Sequence, residues 1–215
     1  MNNQAGHFEK ELPQVAVITG DIVNSQQSEQ SLEWLSVLKD YLSRYGGSPK
    51  DWQVYRGDSF QLIVYQPEDA FRVALHLKAV IKRLKDLDVR MAIGVGTLEH
   101  HADQVLQSNG EAFVYSGRKF DSLKKQTLAV KTPWQDVDKA INLLIKLALL
   151  TIDDWPETSA DVVAASLEHP QATQKEIAAL LSIPQSRVSE RLSRAGFDAI
   201  KDVERYYREA ILKRL

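Results

Sequence analysis

The chain has 215 residues, a formal charge of -2, 44% hydrophobic residues and no cysteine. That much apolar material supports a packed core of one or two domains, and the missing thiols exclude disulfides, thiolate metal sites and cysteine catalysis. The near-neutral balance gives no dominant field toward nucleic acid or membrane. The opening segment, Met1 to Lys10, has no apolar run of the signal-peptide kind. The longest apolar stretch, Ala140 to Ile152, is interrupted by Asn142 and Lys146 and is too short to span a bilayer. The expectation is a soluble cytoplasmic protein with no membrane partner.

Residues 1–12 read as a polar tail. Val15 to Ile18 is a short apolar run closed by Thr19-Gly20-Asp21, which predicts a buried strand. From Glu29 to Tyr45, Leu32, Leu35, Leu38 and Leu42 recur at helical spacing until Gly46-Gly47-Ser48-Pro49 stops them. Trp52–Tyr55 and Phe60–Tyr65 are β-rich runs joined by the turn Arg56-Gly57-Asp58-Ser59. Pro67 opens a second helix with Ala70, Phe71, Ala74, Leu77, Val80, Ile81 and Leu84 on one face, and Val89–Val95 reads as a fourth strand. The order β-α-β-β-α-β predicts the ferredoxin-like arrangement, in which the third strand lies antiparallel between the first and second.

That topology brings two aspartates together. Asp21 leaves the first strand and Asp58 sits in the hairpin between the second and third, so both fall on one sheet edge although 37 positions separate them. Two close carboxylates repel unless one is protonated or a cation lies between them, and Mg²⁺ with phosphate oxygens suits such a pair. Taken singly, Asp21 equally fits a helix cap and Asp58 an ordinary turn residue.

Beyond the fourth strand, Leu98 to Asn109 is irregular and contains His100-His101. A helix over Gly110 to Lys125, a strand at Thr127 to Lys131 and a strongly apolar helix at Val137 to Ile152 follow. The last of these could bridge to a second region or pack two subunits. After Asp153-Asp154-Trp155-Pro156 the chain reads as all helical. Thr173-Gln174-Lys175-Glu176 is a capping box, Ser182-Ile183-Pro184 is a tight turn, and Gln185–Ala195 forms a second helix ended by Gly196. Two short helices so joined, with small Ala178 at their crossing, predict a helix-turn-helix. From Pro156 to Leu215 nine basic residues balance nine acidic ones, but Gln185, Ser186, Arg187, Ser189, Arg191 and Arg194 could reach phosphates or base edges of double-stranded DNA. The open alternative is a helical module that binds protein.

Several of these strings resemble class III nucleotidyl cyclases. Val17-Ile18-Thr19-Gly20-Asp21-Ile22-Val23-Asn24-Ser25 is similar to their first metal motif and Gly57-Asp58-Ser59 to their second. Arg90 to Gly96 is similar to the strand before their dimer arm, and Gly110 to Arg118 falls where they read base, ribose and phosphate. Such a domain followed by a helix-turn-helix resembles the SatD family of small bacterial proteins. The resemblance implies Mg²⁺ held by Asp21, Asp58 and the backbone of Ile22. It further implies phosphates cradled by the turn from Ile22 through Val23, Asn24 and Ser25, with Glu111 at the base and Arg118 on a phosphate across a homodimer; Arg56 is a further candidate phosphate contact. Val54 stands where adenylate-making cyclases carry a base-selecting lysine, and Val114 where they carry a ribose-positioning asparagine. Losing a positioning contact of that kind costs about a hundredfold in rate, so the resemblance favours binding over turnover.

The expected organisation is a cyclase-like α+β domain over 13–134, a connecting helix over 135–155 and a helix-turn-helix domain over 156–215. The expected function is a nucleotide- and Mg²⁺-binding transcriptional regulator that contacts DNA as a dimer. The alternatives are an active nucleotidyl cyclase or related enzyme, and a non-catalytic adaptor.

Overall fold

A computed structural model describes residues 12–25 and 31–215. The tail expected over residues 1–12 lies, apart from Leu12, outside the described residues, as do positions 29–30 of the first expected helix. The described residues form a mixed α+β structure with one five-stranded sheet and eight α-helices.

The strands are β1 (Gln14–Val23), β2 (Trp52–Tyr55), β3 (Ser59–Val64), β4 (Asp88–Thr97) and β5 (Leu128–Lys131). Their order in space is β2-β3-β1-β4-β5, with β4 and β5 parallel and every other neighbouring pair antiparallel. β1 is central and covered on both faces, which is why its apolar residues run without alternation. Its even-numbered members Ala16, Ile18 and Ile22 join the main core with Trp34, Leu38 and Tyr41 of α1 (Ser31–Leu42) and Phe71, Ala74 and Leu77 of α2 (Ala70–Lys82). Its odd-numbered Val15 and Val17 join a smaller core with Ala112 of α3 (Glu111–Asp121). Helix α3 lies so close to the sheet that a Cβ at Gly94 or Gly96 would run into its backbone. Glycine is required at those two positions for that reason.

β1 extends beyond its expected end. It stays paired with β4 as far as Val23 opposite Asp88, so the backbone groups of Gly20 to Val23 are satisfied by ladder bonds instead of a turn. Asp21 therefore lies inside the strand. The expected turn over Ile22–Ser25 shrinks to Asn24-Ser25, with Asn24 at φ +64°. Ile22 and Val23, expected in the phosphate-cradling turn, are therefore strand residues.

The remaining helices are α4 (Gln135–Ile152), α5 (Glu157–Glu168), α6 (Gln174–Leu180), α7 (Gln185–Arg194) and α8 (Phe197–Leu212). Helices α5 and α8 pack on α2: Ala160, Val163 and Leu167, together with Ile200, Tyr207 and Ile211, belong to the same core as Phe71 and Leu75. Tyr207 donates its hydroxyl to the Pro67 carbonyl at 2.8 Å. Lys78 of α2, fully buried, ties the sheet to the end of α4 by bonding Asp88 at 2.8 Å, Thr127 at 3.0 Å and Asp153 at 3.0 Å. Helices α5, α6 and α7 share a separate small core of Val162, Ile177, Ala178 and Val188. Trp155 locks its near end by donating Nε1 to the Ala195 carbonyl at 2.9 Å.

Candidate functional site

Asp21 faces Ser59 across one ladder and Arg90 across the other. Directly opposed residues project from the same face of a sheet, here the α3 face. Arg90 closes on Asp21 with two donors, Nε to Oδ1 at 3.2 Å and Nη2 to Oδ2 at 2.6 Å. Its guanidinium also stacks on Phe120 of α3, 5.0 Å from the ring centre. The bond to Asp21 raises Arg90 above the ordinary arginine range.

Asp58 reaches the same end of the sheet through a hairpin that needs left-handed backbone at Arg56 (φ +52°) and Gly57 (φ +95°). Its carbonyl accepts the Ile22 N–H at 3.2 Å, and its carboxylate accepts the buried Ser25 hydroxyl at 2.6 Å. Asn24 is tied elsewhere, donating Nδ2 to the Asp86 carbonyl at 3.0 Å. Asp21, Ile22, Asp58 and Ser25 are thus brought together by the backbone, while the two carboxylates take different partners. Arg56 is exposed on the hairpin, its guanidinium 6.0 Å from the Tyr55 ring centre.

Mg²⁺ is ordinarily held by one or two carboxylates plus substrate phosphates. The carboxylate count is sufficient, but the Arg90 guanidinium covers both oxygens of Asp21, and a metal placed there meets a fixed like charge. Ile22 offers only backbone, since its side chain is in the core. Among the described residues no three His, Asp or Glu side chains are grouped to hold a metal. As arranged, Asp21 does not fit a metal ligand.

Helix α3 carries the other two expected contacts, Glu111 at the opposite end of the sheet and Arg118 near this end but on another side of the helix. Glu111 lies against the far end of β4, where Thr97 Oγ1 and the Tyr115 hydroxyl approach its carboxylate at 3.4 Å each. Seven strand residues at roughly 3.3 Å each put it on the order of 20 Å from Arg90 and Asp21, so within one chain it does not share their site. Phe120 faces Arg90, and helix residues two apart face away from each other, so Arg118 points elsewhere and is exposed.

Helix α6 opens on the capping box: Thr173 Oγ1 accepts the Glu176 N–H at 3.3 Å, and Glu176 accepts the Thr173 N–H at 2.7 Å. A turn with Ser182 at φ +52° leads to α7. Val188 of α7 is buried, while Gln185, Ser186, Arg187, Ser189 and Arg194 are exposed and Arg191 is half-buried. Glu190 holds Arg187 at 2.9 Å and Arg194 at 3.0 Å. Gln185 donates to the Gln174 amide oxygen at 2.8 Å, joining α7 to the start of α6.

Sequence reasoning singled out neither Arg90 nor Lys78 as a charged partner. Arg90 lies in a run that reads as strand, and its role depends on a ladder pairing it with a residue 69 positions away. Lys78 falls on the apolar face of α2, where its charge is the only local signal.

A five-stranded sheet with helices on both faces, followed by a group of C-terminal helices, is the class of protein these elements define. The SatD family model matches residues 14–208, and the chain belongs to that family. No curated protein matches it. No helix among the described residues is long and apolar enough to cross a membrane.

Proposed function

We propose that this chain is a DNA-binding regulator in which α5, α6 and α7 form a helix-turn-helix domain and α7 is the helix that enters the major groove. The observation that carries the reading is the exposure of α7: buried Val188 and half-buried Leu192 anchor it, while three arginines, one glutamine and three serines lie on its remaining surface. Helix-turn-helix units read DNA through such a helix, held across a first helix by a short turn. The neutral overall charge of the tail makes α7 itself the source of phosphate contacts. Fluorescence anisotropy with labelled duplex DNA over a salt series tests this. Arg187→Ala is expected to weaken binding and lower the salt slope by about one. Equal binding by wild type and by a variant lacking Arg187, Arg191 and Arg194 would move the tail to the protein-binding class.

A second reading, nucleotide binding in a ferredoxin-like, cyclase-like sheet body, is favoured by the convergence of Asp21 and Asp58 at one sheet end and by the order β2-β3-β1-β4. It is a reading of binding without turnover. Calorimetry with ATP and GTP tests it: Asp58→Asn, which weakens the bond from Ser25, is expected to reduce the affinity. A titration that gives no binding heat with either nucleotide removes the reading.

A further inference from the structure

We infer that α4 is a self-association surface, on which a second copy of this chain docks antiparallel. Helix α4 is apolar on two faces. Val137, Ile141, Ile145, Leu149 and Ile152 are buried against the body. Leu143, Leu147 and Leu150 lie on another side and are 60%, 57% and 73% exposed. With Ala140 they follow the three-four-three spacing of a coiled-coil seam. Apolar exposure in one line, beside charged Lys139 and Lys146, is the pattern of an interface and differs from scattered surface leucines.

Charge selects a second copy of the chain as the occupant. Lys139 and Asp154 are both exposed, and among the described residues neither is held in an ion pair. Lys139 lies four residues before Leu143, and Asp154 four residues after Leu150. An antiparallel pairing that sets Leu143 of one copy on Leu150 of the other therefore sets Lys139 of the first on Asp154 of the second. By two-fold symmetry the same contacts recur at the other end, so the face is complementary to itself. The stem of Lys146 then covers Leu147 of the other copy while its ammonium stays in water. Three leucines a side make a small interface, of the size class that forms weak, concentration-dependent dimers.

Sedimentation velocity on the full chain, over a dilution series through the micromolar range, tests the inference. Wild type is expected to shift from monomer to dimer as concentration rises. Leu150→Glu puts a carboxylate into the seam from a position already largely in water, and is expected to raise the dimer dissociation constant at least about tenfold. Lys139→Glu and Asp154→Lys are each expected to weaken the dimer about tenfold by turning two attractive contacts repulsive; combined, they restore it. Circular dichroism of each variant separates lost pairing from lost fold. A wild type that stays monomeric throughout, or a Leu150→Glu variant that dimerises unchanged, overturns the inference. A double charge variant as weak as the single ones overturns the antiparallel register. No DNA enters the measurement, so its failure leaves the DNA-binding reading untouched.

Discussion

Arg90 of β4 occupies both carboxylate oxygens of Asp21 of β1. The residue that the cyclase resemblance makes a metal ligand is therefore one half of an ion pair. The pair is about a quarter to a third exposed, so solvent screens part of its energy.

Replacing Arg90 with Met leaves a partly buried carboxylate without its donors and is expected to cost about 1–2 kcal/mol in urea unfolding. The double variant with Asp21→Asn should cost less than the sum of the two single changes. Strict additivity would mean the pair contributes nothing. Mg²⁺ titration extends the test: wild type and Asp21→Asn should give the same isotherm, and a signal that depends on Asp21 would contradict the ion-pair account.

His76 of α2 is buried with Nε2 lacking a hydrogen-bond partner, 3.6 Å from Glu168 of α5. Burial pushes its pKa down to about 4. The folded state then binds fewer protons than the unfolded one between about pH 6.5 and pH 4. The stabilisation is complete above the unfolded value and is lost as pH falls through that window, by about 3 kcal/mol at most. Unfolding at pH 7.5 and pH 4.5 should show a smaller pH loss for His76→Phe than for wild type. Identical losses would show that His76 does not titrate in this way.

Lys78 is enclosed by Asp88, Thr127 and Asp153. Lys78→Met removes the fully buried cation that bonds both carboxylates, and about 1–3 kcal/mol of stability should go with it, the cost of leaving partly buried acceptors without their donor. A loss below about 1 kcal/mol would indicate that water or Lys82, which also reaches Asp88 at 3.4 Å, takes over.

Glu190 binds two of the three α7 arginines. Glu190→Gln frees both and removes a charge that repels phosphate, so affinity for duplex DNA should rise about threefold to tenfold, with a steeper salt dependence. An unchanged or lowered affinity would argue that α7 does not face the DNA backbone.

What could be read in the sequence was local or periodic. The capping box is a contact between residues three apart, and both of its bonds form. The Leu38 and Leu42 spacing and the Phe71 to Ile81 stripe gave helix faces that do enter the core. What escaped depends on which element meets which. Apolar periodicity marks a face of α2 but not that α5 and α8 cover it. The partner of Asp21 is set by the β1–β4 register, which no spacing within either strand reveals. The distance of Glu111 from Asp21 follows from where α3 crosses β4, fixed by the close approach at Gly94 and Gly96.

The most direct test of the DNA-binding account is selection from a randomised duplex library by the full chain, run beside a variant with Arg187, Arg191 and Arg194 replaced by alanine. The account predicts an enriched sequence for wild type that the variant fails to enrich. A library left unenriched by wild type, or enriched equally by both proteins, would contradict it.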